Sequence, residues 1–173
     1  PTFISGPYSY TDIFSALLSS NGDFFITTYN DGIFKSTDNG ENWTKVYNTF
    51  VTLGYLNEHP TTGDLYAASL GAVLKSTDNG ENWTELDPEP WMAMNIKEFE
   101  ITSDGLFYFS NAGGVFKSDD AVHWENIWSP NVRALSTTTL IDMSISNDYI
   151  YVSASDSTVY MKQRDVSTGV NSV

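Results

Sequence analysis

Residues 35–44 read Lys35-Ser36-Thr37-Asp38-Asn39-Gly40-Glu41-Asn42-Trp43-Thr44, and residues 75–84 repeat all ten letters after an interval of 40. A degraded copy follows at Gly114-Val115-Phe116-Lys117-Ser118-Asp119-Asp120-Ala121-Val122-His123-Trp124, one residue shorter between its Asp and its Trp. A fainter fourth copy, Thr158-Val159-Tyr160-Met161, sets Met161 where the lysines stood, so the anchors 35, 75, 117 and 161 are spaced by 40, 42 and 44. A repeat near 40 residues marks a propeller, a solenoid or an array.

What fills each period decides among these. Short alternating stretches are punctuated by Asn-Gly and Asp-Gly, which supply the positive φ of tight hairpins, and no 3.6-residue helical pattern appears. Each unit reads as four strands. The first runs through Ile13 to Ser19, Phe24 to Tyr29, Ile33 to Ser36 and Trp43 to Tyr47; the fourth ends after Val159 to Lys162, its outermost strand weak or missing. The predicted fold is therefore all-β: a small β-propeller of four blades, each of four antiparallel strands. The blades fall at about 11–48, 51–88, 95–128 and 138–166, and 167–173 is a polar tail. Thr2-Phe3-Ile4-Ser5 belongs to no repeat and is read as the strand that completes the fourth blade and closes the ring. The competing reading is a piece of a seven- or eight-bladed propeller.

The pattern Ser36-x-Asp38-x-Gly40-x-x-Trp43, repeated as Ser76-x-Asp78-x-Gly80-x-x-Trp83, resembles the Asp-box, or BNR repeat, of sialidases, sortilin-type receptors and many bacterial secreted propellers. The resemblance implies that the box is the hairpin between the third and fourth strands of a blade. Its logic is local: the carboxylate accepts hydrogen bonds from turn N–H groups, Gly tolerates positive φ, and Trp packs over the sheet. These carboxylates are expected to be structural. Ser118, Asp120 and Trp124 are assigned the same task in an altered turn, and no working box is expected in the fourth blade. Asn42-Trp43-Thr44 and Asn82-Trp83-Thr84 match the glycosylation sequon and are read as accidents of the repeat.

Composition narrows the function. The 173 residues carry 8 Lys plus Arg against 22 Asp plus Glu, a formal charge of −14, which argues against nucleic acid as a partner. Ten Phe, ten Tyr and five Trp are too many for a disordered chain. Without cysteine there is no disulfide, thiol nucleophile or Cys-ligated metal. With only His59 and His123, and no Asp-x-Asp-x-Asp-Gly loop, neither a metal site nor any cofactor is expected. No apolar run approaches the roughly 18 residues of a membrane span.

An active sialidase would need three arginines to clamp its substrate, and Arg133 and Arg164 are the only two. Acidic residues such as Asp87, Glu89, Glu98, Glu100 and Asp142 are plentiful, but spacing singles out no catalytic pair. The chain is therefore expected not to be an enzyme. The connectors between blades carry Phe50, Trp91, Met92, Trp128 and Arg133, which a propeller gathers on one face, so they are candidates for an interaction face or for plugging the centre. The terminal strand Thr2–Ser5 that completes a blade in cis could equally add to another copy in trans. The expected partners are thus copies of the same chain, in an oligomer or filament, or a surface protein or glycan. The tail resembles the polar linker that precedes a C-terminal sorting domain in secreted proteins of Bacteroidetes-like bacteria, which implies an extracellular or cell-surface location. The alternatives are a monomeric carbohydrate- or peptide-recognition propeller and a fragment of a larger Asp-box glycoside hydrolase.

Overall fold

Phe24–Thr28 and Gly32–Ser36 form a hairpin because Gly32 takes φ +111 at its turn and has no side chain. A Cβ at Gly32 would lie 1.9 Å from the carbonyl oxygen of Tyr47, so the glycine also lets the outer strand approach. This hairpin supplies β2 and β3 of the first blade, flanked by β1 (Ile13–Leu18) and β4 (Thr44–Tyr47) in the order β1-β2-β3-β4. The computed structural model describes residues 12–29, 31–49, 53–69, 72–86, 96–129, 140–155 and 157–165.

The second blade is β5 (Leu53–Glu58), β6 (Leu65–Ser69), β7 (Val73–Ser76) and β8 (Thr84–Leu86). The third is β9 (Glu98–Ile101), β10 (Phe107–Asn111), β11 (Gly114–Ser118) and β12 (Glu125–Trp128). The fourth has three described strands, β13 (Leu140–Ile145), β14 (Tyr149–Ala154) and β15 (Val159–Gln163). All pairings are antiparallel between sequence neighbours, and the described residues contain no helix. The all-β, four-bladed propeller read from the repeat is the fold observed. The closing strand assigned to Thr2, Phe3, Ile4 and Ser5 lies outside the described residues, as does the 167–173 tail, and closure of the ring by hydrogen bonds is not seen among the described residues.

The first strand of each blade is innermost, because β1 packs on β5, β5 on β9, and β9 on β13. Three of these inner strands carry a register shift near their start, after the first pair in β1 (between Ile13 and Ser15) and β13 (between Leu140 and Asp142) and one pair later in β5 (between Gly54 and Leu56). Such bulges strengthen the local twist that turns a strand toward the axis. Between blades lie the cores. Phe25, Ile33, Leu53, Leu65 and Leu74 fill the first junction, and Tyr66, Val73, Phe99, Phe107 and Trp124 the second. Tyr108, Val115, Met143, Ile150 and Val152 fill the third. Each large side chain so buried contributes roughly 1.5–3 kcal/mol, so the junctions rather than isolated sheets carry the stability.

Candidate functional site

The repeated decapeptide folds twice into the same turn. In the first blade the Ser36 hydroxyl donates to Asp38 Oδ1 (2.8 Å) and accepts from the Gly40 N–H (2.8 Å). Asp38 accepts from the Asn42 N–H (2.8 Å) and from Asn42 Nδ2 (2.7 Å), and Trp43 Nε1 donates to the Gly40 carbonyl (3.0 Å). The second blade repeats this from Ser76 through Asp78, Gly80 and Asn82 to Trp83, with each counterpart distance within 0.1 Å. The hydrogen bonds from Asn42 and Ser36 hold the Asp38 carboxyl down at about 2, and those from Asn82 and Ser76 do the same for Asp78. Both carboxylate oxygens of Asp38 and of Asp78 are engaged by their own loops.

The third turn reaches a similar end by other means. Ser118 still donates to Asp120 (3.0 Å), but the Ala121 N–H takes the place of the glycine N–H at Ser118 Oγ (2.9 Å), and Ala121 sits at φ +64. His123 stands in for asparagine: its N–H donates to Asp120 Oδ1 (2.7 Å) and its Nδ1 meets Oδ2 (2.6 Å). Although burial pushes the other way, these contacts hold Asp120 well below the usual carboxylate range. Trp124 Nε1 is buried and has no hydrogen-bond partner among the described residues.

Charged side chains from one blade clasp the next. Lys35, buried on β3, donates to the carbonyl of Asn79 (2.8 Å) and to Glu81 (2.5 Å) in the second turn, and pairs with Asp23 (3.2 Å). After β15, Arg164 enters the third junction: Nε donates to the Tyr108 hydroxyl (2.9 Å), and Nη2 reaches Thr102 (3.1 Å) and both oxygens of Asp104 (2.6 Å each). Arg164 is thus bound inside the protein by Tyr108, Thr102 and Asp104. Lysines at the repeated position were visible in the sequence; the Arg164–Asp104 pair, 60 residues apart, left no signal there.

Near the axis, the structure brings together two acids that spacing did not pair. Glu98 of β9 and Asp142 of β13 lie close enough for the charge of one to act on the other. Burial, followed by the charge of Asp142, pushes the Glu98 carboxyl up to about 7. Burial also raises Glu100, against the pull of the Ile145 N–H and the Arg164 charge. Tyr55, at the β5 bulge with φ +38, donates its hydroxyl to the Lys97 carbonyl beside this pair. Among the described residues no group of three or more His, Asp or Glu side chains is placed to hold a metal ion.

Of the residues assigned to an interaction face, Phe50, Trp91, Met92 and Arg133 lie outside the described residues. Trp128 lies within the described residues. It ends β12, the outermost strand of its blade, pairs with Val115, and packs edge-on to Tyr160 at 6.4 Å. There it packs against the core of the third junction.

No family model and no curated protein matches the sequence. Solved structures do. Virginiamycin B lyase from Staphylococcus aureus superposes with a TM-score of 0.66 at 13% identity, over 93% of this chain and 58% of the lyase. YCF48, solved bound to a D1 peptide, gives 0.66 at 17% identity over 92% and 53%. The GH74 xyloglucanase from Xanthomonas campestris gives 0.70 at 14% identity over 86% and 28%. These are propellers, enzymes among them, and at such identity the likeness is one of fold. The chain spans a little over half the length of the lyase and of YCF48.

Proposed function

We propose that this chain is a non-catalytic, extracellular interaction propeller that assembles with copies of itself through its terminal strands. The observation that carries the reading is the outer edge of the fourth blade. Strands β3, β7 and β11 each pair on both sides, whereas β15 pairs with β14 alone among the described residues. An unpaired strand edge offers a row of N–H and C=O groups to an extended segment, and Thr2-Phe3-Ile4-Ser5 has the β-branched and aromatic composition to fill it. Filled from another molecule, the edge becomes a link in an oligomer or filament.

The charge chemistry favours binding over catalysis. Asp38, Asp78 and Asp120 are used by their turns, and Arg164 by a junction. Other propellers of this shape include enzymes, so a fragment of a larger glycoside hydrolase is the reading to defeat.

Negative-stain microscopy with light scattering tests the proposal. The chain should form particles larger than a monomer, and Phe3→Asp with Ile4→Asp should reduce them to monomers that keep their circular dichroism. A monomeric wild type at micromolar concentration overturns it.

A further inference from the structure

The four blades make three junctions, and the outward faces of the first and last blades differ sharply from those inside. All the large apolar side chains exposed among the described residues belong to these two blades: Ile13, Phe14, Leu18 and Tyr29 on the first, Ile141, Tyr151, Val159 and Met161 on the last. Register identifies what they are. Tyr151 pairs with Met161 as Phe25 pairs with Lys35, Tyr66 with Lys75 and Tyr108 with Lys117. Val159 therefore occupies the place of Ile33, Val73 and Val115; those three are 0% exposed inside junctions, and Val159 is 67% exposed. On the opposite end, Ile13 pairs with Thr28 as Leu53 pairs with Ser69 and Leu140 with Ala154, yet Ile13 is 55% exposed against 2% and 3% for its counterparts.

The last blade thus presents the face that elsewhere receives a following blade, and the first blade presents the face that receives a preceding one. We infer that these are mating surfaces for a second copy of the same chain, blade four of each copy docking on blade one of the other to close one eight-bladed ring. Each copy supplies both halves of the junction, so nothing outside this sequence is needed. A two-fold ring forms both contacts at once and leaves no apolar end. Eight blades lie within the roughly 4–8 that propellers use. The arc also covers 58% and 53% of the lyase and YCF48 chains, so two such arcs slightly exceed the length of either. The inference rests on the self-association proposed above but moves its principal contact from the strand edge to the blade face. Because each copy carries −14, association should tighten as salt rises.

Sedimentation and light scattering of the intact chain test this. The expected result is a discrete species of twice 19.2 kDa, with nothing larger. Val159→Glu with Met161→Glu, and separately Leu18→Glu, should each give monomers with unchanged thermal melting, since these side chains are exposed within one copy. Mixing the two variants should restore a weaker heterodimer, because the intact fourth blade of one still fits the intact first blade of the other. A wild-type monomer overturns both readings, and would fit end faces covered by further blades of a longer polypeptide. Association that survives the face variants but is lost with Phe3→Asp and Ile4→Asp overturns the ring and keeps strand exchange. Filaments insensitive to the face variants overturn the ring as well.

Discussion

The second and third turns differ by one deleted residue, and the consequences spread into the junctions on which they sit. In the second turn, glycine at φ +76 lets the chain lie on the Phe25 ring of the preceding blade, asparagine at φ +56 takes the other left-handed position, and the Trp83 N–H closes the loop on the Gly80 carbonyl. Lys35 then clasps the turn from outside. In the third turn a single alanine covers both backbone tasks, Val122 replaces the glutamate that Lys35 holds, and the indole N–H of Trp124 is buried without a partner among the described residues. The carboxylate's hydrogen bonds survive the deletion while the tryptophan's is lost. Turn closure and junction packing are thus separable functions of one motif, and the carboxylate serves the first.

Gly80→Ala should break the intact turn most severely. The added Cβ would fall 2.3 Å from Cε1 of Phe25 and 2.7 Å from Cζ, in a fully buried ring, at a positive φ that alanine resists. Backbone strain of roughly 1 kcal/mol and overpacking of about 1–3 kcal/mol give a loss of about 2–4 kcal/mol. For a domain of this size that is roughly 5–15 °C in Tm. Calorimetry showing less than a 2 °C change would mean that the turn can lift off Phe25 without cost.

How much of this was legible in the sequence depends on range. Ten identical residues, with Asn-Gly and Asp-Gly turns, mark the hairpins because positive φ and turn hydrogen bonding are local demands. The strand bounds follow for the same reason, within one residue at each end for β1, β2, β3, β4 and β15. Contacts between blades are another matter. The Lys35 clasp, the Arg164–Asp104 bridge and the Glu98–Asp142 pair join residues about 44–60 apart, and their partners are set by how one sheet stacks on the next. His123 shows the limit at close range: its place in the motif was visible, but that an imidazole takes over the asparagine's second hydrogen bond follows only once Ala121 has shortened the loop.

Trp83→Phe and Trp124→Phe sharpen the comparison. The first removes an indole donor that has an acceptor, which costs roughly 0.5–1.5 kcal/mol beyond lost packing. The second removes a donor buried without one, which relieves about 1–3 kcal/mol of desolvation and offsets the smaller ring's poorer contacts with Phe99 and Phe109. The expected order is therefore that Trp83→Phe destabilises more than Trp124→Phe, although Trp124 is the more deeply buried. Urea denaturation of the two variants decides it, and the reverse order would mean that the Trp124 N–H finds water or a partner in solution.

The smallest effect separates the carboxylate's contribution from the tryptophan's. Asp38 and Asp78 titrate at about 2 in the folded chain and near 3.8 when free of their turns. Between those values the unfolded chain binds protons that the folded chain does not, so their contribution is complete above about pH 4 and fades as pH falls toward 2. Asp38→Asn with Asp78→Asn removes both titrations. An asparagine side chain still accepts from the turn N–H but sets its own amide against Asn42 or Asn82, so the variant should melt a few degrees lower at pH 7 and show a shallower fall in Tm between pH 4 and 2. Since Asp120 is held low by its own shortened loop, a residual acid slope should remain, and Asp120→Asn added to the pair should flatten it further. Equal slopes for all three proteins would place the acid sensitivity elsewhere in the blades and remove the turns from it.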